Sequence, residues 1–247
     1  MGIRPPTPLL VILAAAFCAQ ARAQTCTGFG SLLGSKYRVD LSAARYTYAT
    51  AVRASVTTGR SLFATLGVGA TRDGELDAST YDLSAQVGYD VPMGEEPITF
   101  CPELSVSYSL GPYDFMLNDG HFTYLDAGVG LSLAGIAVRT GRVTVIPAVG
   151  AHYSRLALKR VVSAEQRENS VQGWVKTDWY GVLSAGVGVV IDDHLVLRPG
   201  VTVPLGFVPV RHESYDDWIV PFGREDGEVS LNLTVGIRIG RRGRQAR

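Results

Sequence analysis

The sequence predicts an all-β protein: a closed, antiparallel, up-and-down transmembrane β-barrel of about ten strands, with eight strands as the alternative. Three observations support this fold. Apolar and polar residues alternate along most of the chain, which is the side-chain period of a β-strand. Short and long connections alternate between the strands, as expected for a barrel that crosses a membrane. Glycine, which occurs 28 times in 247 residues, collects on the polar face of the strands.

The alternation is clearest in residues 79–91, STYDLSAQVGYDV, where the odd positions are apolar and the even positions are polar or small. Because successive side chains of a strand point to opposite faces, this segment has one apolar and one polar face. No stretch shows a comparable 3.6-residue period over the length of a helix. The same pattern predicts strands over residues 37–43, 46–56, 62–70, 79–91, 98–108, 125–133, 143–153, 179–189, 195–207 and 229–239.

The strand count depends on residues 44–45, where the apolar positions change from odd to even. A tight turn there separates two strands, whereas a β-bulge leaves one long strand. With the turn there are ten strands, and the longer connections share one side of the barrel. These longer connections are residues 72–78, 111–120, 155–176 and 212–227, and the short ones are residues 58–60, 92–97, 135–141 and 192–194.

The composition of the two faces predicts that the apolar face points outward. Glycine on the polar face suits a narrow interior, where opposing walls leave little room for side chains. The apolar face carries almost no charge, as expected if one Lys or Arg at the bilayer midplane costs roughly 2–4 kcal/mol. Aromatic residues near the strand ends indicate two interfacial girdles. One girdle would contain Tyr48, Tyr81, Tyr108, Tyr153, Trp179 and Phe207, and the other Tyr37, Tyr89 and Phe100.

The first 23 residues are typical of a secretory signal peptide. Arg4 precedes an apolar stretch over residues 9–19, and Ala21-Arg22-Ala23 matches a cleavage site. We therefore expect residues 1–23 to be removed after export, residues 24–35 to form a periplasmic segment, and residues 36–240 to form the barrel. Residues 241–247 would form a basic tail, and the expected location is the bacterial outer membrane.

Two cysteines, Cys26 and Cys101, remain after removal of the signal peptide. An even pair in an exported protein predicts a disulfide, with two free thiols as the alternative. Because Cys101 lies on the polar face near the periplasmic start of its strand, the bond would hold the N-terminal segment under or inside the barrel.

The alternation, the connection lengths and the last strand together resemble the family of small bacterial outer-membrane β-barrel domains, over roughly residues 36–240. In the segment EVSLNLTVGIRI, Thr234, Gly236 and Ile239 match the core of that family's C-terminal assembly signal, although the terminal aromatic residue is missing. The resemblance implies the barrel assembly machinery, outer-membrane lipids and lipopolysaccharide as partners. The oligomeric state is not predicted, and the zero net charge gives no support for binding nucleic acid.

Charged residues of both signs fall on the polar face in near balance, which predicts a lumenal network of hydrogen bonds and ion pairs in place of a selective pore. The predicted members are Arg38, Asp40, Arg53, Asp82, Glu103, Asp126, His152, Asp178, Arg198 and Arg238.

The segment His152-Tyr153-Ser154 is similar to the active-site strand of the outer-membrane lipid A deacylases, and His152 and Ser154 share one face of the strand. That resemblance implies a general base and a nucleophile, with Glu165 or Glu168 as the third member, although Arg155 replaces the family's asparagine. The alternative is a lumenal histidine that hydrogen-bonds a hydroxyl group.

His212, Glu213, Asp216 and Asp217 form a polar cluster in one of the longer connections. They are expected to form a solvated surface loop, with cation binding as the alternative. No motif for a nucleotide, zinc or redox cofactor occurs, so neither cofactor nor metal is predicted.

The expected function is therefore structural or surface-interactive, carried by the outer connections, and most consistent with a protein that is not an enzyme. The two alternatives are a lipid-modifying hydrolase that uses His152 and Ser154, and a soluble exported barrel that carries a small ligand.

Overall fold

Ten long strands form a closed antiparallel barrel in the computed structural model, which describes residues 26, 35–46, 49–59, 61–73, 79–93, 98–114, 120–161, 175–205 and 229–241. Within these described residues there are twelve strands, and two of them, β5 and β8, are extensions of two and three residues. The strands are β1 (Ser35–Arg45), β2 (Ala49–Gly59), β3 (Leu62–Asp73), β4 (Ser79–Tyr89), β5 (Val91–Pro92), β6 (Ile98–Asp114), β7 (Gly120–Gly135), β8 (Val138–Thr140), β9 (Val143–Val161), β10 (Val175–Ile191), β11 (Leu195–Pro204) and β12 (Ser230–Arg241).

Hydrogen bonding runs around the complete ring. Neighbouring strands follow the order β1-β2-β3-β4-β6-β7-β9-β10-β11-β12, and β12 pairs back with β1, for example Ile239 with Tyr37. Each of the ten barrel strands is thus paired on both sides. The predicted fold class is confirmed, with ten strands and not eight. Within the described residues, no helix is long and apolar enough to span a membrane.

The change of phase near residues 44–45 is a change of strand. β1 continues through Arg45, β2 begins at Ala49, and the Tyr46 N–H donates to the Ala49 carbonyl at 2.9 Å. The turn lies slightly after the predicted position because the last residues of β1 keep pairing with β2, as Arg45 does with Thr50.

The connections divide the barrel into two ends. The turn end carries residues 60–61, 90–97, 136–142 and 192–194, whereas the loop end carries residues 46–48, 74–78, 115–119, 162–174 and 205–229. At the turn end, Asp192 and Asp193 both have positive φ angles of 50° and 57°, and the His194 N–H donates to the Ile191 carbonyl. This is the geometry of a two-residue hairpin turn that matches the twist of its strands, and Asp tolerates it.

The apolar face of the sheet points away from the barrel axis. Leu83, Val129 and Val187, which lie near the middle of their strands, are 59%, 55% and 39% exposed. The large apolar residues at the alternate positions of the other strands are similarly exposed, including Leu41, Leu66, Leu104, Leu183 and Leu233. An isolated barrel therefore presents a continuous apolar belt to its surroundings.

The lumen contains the glycines and polar residues that were predicted, together with an apolar cluster at the turn end. Ile146, Val190 and Val196 are 0–3% exposed and pack with Ala134 and Ala148. These residues occupy lumenal positions on β7, β9, β10 and β11. The lumen is thus polar along most of its length and apolar where β9 and β11 begin.

Glycine at lumenal position 128 is expected to be required for stability. A Cβ atom there would meet Ser154 Oγ, His152 Nε2 and the Tyr153 backbone oxygen, the last at 2.7 Å. Gly128→Val should therefore lower the free energy of unfolding by about 1–3 kcal/mol. The measurement is the urea midpoint in detergent micelles.

Ala127→Val is the matched control, because Ala127 is the neighbouring residue on the exposed outer face of β7. Equal stability of the Gly128→Val variant and the control would contradict the close lumenal packing.

Candidate functional site

Polar and charged side chains from several strands meet in the lumen. At the turn end, Arg38 Nε donates to both carboxylate oxygens of Asp40, at 2.8 and 2.9 Å, and Arg38 Nη2 donates to Thr57 Oγ1 at 3.2 Å. Arg38 and Asp40 are 8% and 4% exposed. A buried ion pair requires such additional hydrogen bonds to offset the loss of hydration, and Thr57 supplies one.

A second ion pair reaches across an intervening strand. Arg53 on β2 and Asp82 on β4 approach to 2.7 Å, although β3 lies between them. The residue of β3 in register with both is Gly69, and a Cβ atom there would collide with the Asp82 carboxylate. Gly69 thus leaves the space through which the two charges meet.

The same arrangement recurs at Gly130 on β7. A Cβ atom at Gly130 would lie 2.6 Å from Glu103 Oε1 and 2.8 Å from His152 Nδ1. Glu103 on β6 and His152 on β9 therefore lean toward each other over the glycine. The expected reason for lumenal glycine was crowding by the opposing wall, but at these positions the crowding comes from side chains of neighbouring strands.

His152 hydrogen-bonds Ser105 of β6, with 3.1 Å between Nε2 and Oγ. Glu103 Oε2 accepts a hydrogen bond from Gln86 Nε2 at 2.6 Å. Ser154 Oγ is fully buried and has no hydrogen-bond partner among the described residues. The geometry therefore joins His152 to a serine that the sequence did not single out.

This geometry argues against a hydrolase that uses Ser154. A nucleophile needs a base within hydrogen-bond reach and a path by which the substrate can approach. Ser154 lies on the lumenal face of β9 and is 0% exposed. The proposed third members, Glu165 and Glu168, lie outside the described residues. The likeness to the lipid A deacylases therefore finds no support in the arrangement of His152 and Ser154.

The remaining predicted lumenal residues lie on opposite walls. Arg198 and Arg238 are on β11 and β12, beside Arg38 on β1, and the Arg238 guanidinium donates to the Asp193 carbonyl at 3.3 Å. Asp126 on β7 accepts a hydrogen bond from the Tyr180 hydroxyl. The Asp178 side chain and the cluster His212, Glu213, Asp216 and Asp217 lie outside the described part of the structure.

Sequence reasoning did not identify Ser105, Gln86 or Thr57 as partners in this network. Alternation places all three on the polar face of their strands, but a serine, a glutamine and a threonine carry no further signal. Their partners come from strands 17 to 47 residues away along the chain. Only the register of neighbouring strands identifies such contacts.

A separate buried cluster lies at the turn end, where Cys101 is near the start of β6 and Asp90 directly follows β4. Cys26 and Cys101 are at disulfide distance, with their Cα atoms 5.6 Å apart. Asp90 Oδ1 lies 2.9 Å from Cys26 Sγ and 3.3 Å from Cys101 Sγ. Burial raises the pKa of the Asp90 carboxyl group to about 7. Asp90 follows β4 directly and was not singled out in the sequence.

Comparisons with known proteins found matches among solved structures only. No protein-family model matches the sequence, and no curated protein is significantly similar to it. Similar solved structures include the N-terminal β-barrel domain of Pseudomonas aeruginosa OprF, with 14% identity over 87% of this chain and 98% of that chain, at a TM-score of 0.34. The translocator domain of the autotransporter NalP from Neisseria meningitidis has 15% identity over 82% of this chain and 87% of that chain, at a TM-score of 0.46. Ail, the attachment invasion locus protein of Yersinia pestis, has 11% identity over 82% of this chain and 96% of that chain, at a TM-score of 0.30.

The cysteine pair is expected to be oxidised in the exported protein and to tie residue 26 to β6. Reduction before unfolding should slow the migration of the denatured chain on a non-reducing gel, because the bond closes a loop with a sequence separation of 75. A bond across such a loop stabilises the fold by about 4 kcal/mol in the chain-entropy model. Cys18→Ser serves as the control, since Cys18 lies in the predicted signal peptide. Identical migration with and without reductant would contradict the bond.

Asp90 is expected to make stability depend on pH. Its folded pKa of about 7 lies above the usual aspartate pKa of 3.8, so between these values the unfolded chain loses a proton that the folded chain keeps. The free energy of unfolding should therefore fall as pH rises from about 4 to about 7, by no more than about 4 kcal/mol, and then level off.

The measurement is the urea midpoint of the wild type and of Asp90→Asn across this pH range. Asn has nearly the same shape and does not ionise, so the difference between the two proteins isolates Asp90. An identical pH profile for both proteins would contradict the raised pKa.

Proposed function

We propose that this chain is an integral β-barrel of the bacterial outer membrane with a structural or surface-interaction role and no open pore. The supporting observation is the apolar belt around a closed barrel with a largely polar interior. In hydrocarbon each unpaired backbone group costs several kcal/mol, so a sheet crosses a membrane only when its ends are joined. The belt and the closed ladder together satisfy the requirements of a strand-built membrane protein.

The filled turn end supports the absence of an open pore. The apolar cluster around Ile146 and Val196 lies beside the buried pair Arg38 and Asp40 in the same half of the lumen. A selective pore is lined instead by hydrated groups around a constriction. The barrel therefore resembles a filled cylinder at the end that would face the periplasm.

The surface role is assigned to the loop end. The two longest connections, residues 162–174 and 205–229, both leave the barrel there and together offer the largest chain length beyond the belt. Connections on a rigid scaffold are the usual carriers of binding in such architectures. His212, Glu213, Asp216 and Asp217 belong to the longer of the two and are proposed as part of this surface.

Two further partners are part of the proposal. The last strand, β12, would carry the signal for the barrel assembly machinery through Thr234, Gly236 and Ile239, and it is the strand that closes the ring with β1. Lipids and lipopolysaccharide would surround the belt. Export through the predicted signal peptide would place residues 24–35 in the periplasm, in keeping with Cys26 at the turn end.

The soluble carrier is less well supported than the membrane protein. Such a protein buries its apolar residues inside and leaves polar residues outside, whereas Leu83, Val129 and Val187 have the opposite placement. The five buried residues of the lumenal apolar cluster are packed against one another and against Ile136.

Fractionation and site-directed substitution test the membrane location. The full chain should require detergent for extraction and should show heat-modifiable migration. Leu83→Arg, which places a charge in the middle of the belt, should lower the free energy of unfolding in vesicles by about 2–4 kcal/mol. Urea titration in vesicles measures this change.

Val229→Arg is the matched control. Val229 is also an exposed apolar residue, at 51%, but it lies at the loop end, where the cost of a charge falls to about 0–1 kcal/mol. Extraction of the wild type without detergent, or equal effects of the two arginines, would overturn the proposed location.

A further inference from the structure

Among the described side chains, the outward-pointing cations of the ten barrel strands lie at one end of the molecule. Alternation places four described basic side chains on the outer face, and each follows the last residues of the apolar belt at the loop end. These four, the basic collar, are Arg45 on β1, Arg72 on β3, and Arg155 and Lys159 on β9; all are exposed. Among the described side chains, no Asp or Glu occupies an outward position of the ten strands.

The collar is most developed on β9 and β10, where a patch consists of Tyr153, Arg155, Lys159 and Trp179. The rings of Tyr153 and Trp179 stack with their centroids 5.2 Å apart and their planes 10° apart. The Arg155 guanidinium lies over the Trp179 ring, 5.8 Å from its centroid. Trp179 is directly opposite Arg155 in the strand register, so the stack holds the cation on the outer surface.

The height of this patch corresponds to the membrane interface. A tilted strand crosses a bilayer in about 9–11 residues, and β9 and β10 have 19 and 17 residues. Both strands therefore continue beyond the belt at the loop end. Amphipathic aromatic rings prefer the interface, which places Tyr153 and Trp179 there and Lys159 about 13 Å farther along β9 from Arg155.

We propose that the β9–β10 patch binds the phosphate groups of a phosphorylated glycolipid in the outer leaflet, such as lipid A. The inference rests on the proposed membrane location. Arg pairs with phosphate through two parallel hydrogen bonds, and Lys adds a point charge. Among the described residues neither Arg155 nor Lys159 pairs with a carboxylate, and the Arg155 guanidinium keeps its contact with Trp179.

Lipid retention by the full mature chain in detergent tests the proposal. The measurement is the Kd for diphosphorylated lipid A, obtained by native mass spectrometry. The double variant Arg155→Gln with Lys159→Gln should have a Kd about thirtyfold higher than that of the wild type, because each cation contributes to binding at a charged membrane surface. The wild type should also bind fully dephosphorylated lipid A more weakly. An unchanged Kd for the double variant, or equal wild-type binding of both lipids, would overturn the proposal.

The matched control is Arg139→Gln combined with Arg142→Gln, which removes two exposed cations from the turn end. This control should bind lipid A as the wild type does, and an equal loss would show a nonspecific charge effect and overturn the site. If the first double variant does not fold, Lys159→Gln alone keeps the Arg155–Trp179 contact and should weaken binding about fivefold. No change in that variant overturns the proposal as well.

Flotation of the wild type with lipid vesicles separates the two hypotheses. A protein that does not float loses both the membrane location and the lipid site. A protein that floats but binds lipid A independently of Arg155 and Lys159 retains the membrane location and loses only the site.

Discussion

Closure of the hydrogen-bond ladder is the constraint on which the rest of this structure depends. Because β12 returns to β1, each of the ten barrel strands satisfies its backbone on both sides without help from water. The closed ring then has only two faces, and alternation assigns each side chain to one of them. The bulky apolar residues take the outer face, which leaves most of the described charged residues of the strands to share a narrow interior.

The interior accommodates those charges by contact between neighbouring strands. Arg53 and Asp82 meet across β3 above Gly69, and Glu103 and His152 approach each other above Gly130. A large side chain adjacent to a glycine fills the space that the missing Cβ leaves, so the wall stays packed. Buried charge is tolerable when it is paired and further hydrogen-bonded, as Arg38 is by Asp40 and Thr57.

The two ends of the barrel differ chemically. At the turn end, the lumen is filled by apolar packing around Ile146 and by the buried ion pair between Arg38 and Asp40. The cysteine pair beside Asp90 holds residue 26 against β6. The loop end carries the long connections, the stacked rings of Tyr153 and Trp179, and the outward cations. This difference along the barrel axis is the basis for assigning the proposed surface role to the loop end.

The sequence by itself determined the period of the strands, the separation of an apolar from a polar face, and the change of alternation near residues 44–45, whereas the structure decided that a turn and not a β-bulge lies there. These are local properties, since each depends on residues that are adjacent or two apart. Only the tertiary structure decided that His152 meets Ser105, that Arg53 reaches Asp82, and that apolar residues fill one end of the lumen. Those contacts join residues 29 and 47 positions apart, and they depend on the stagger of strands around a closed ring, which no local pattern of alternation encodes.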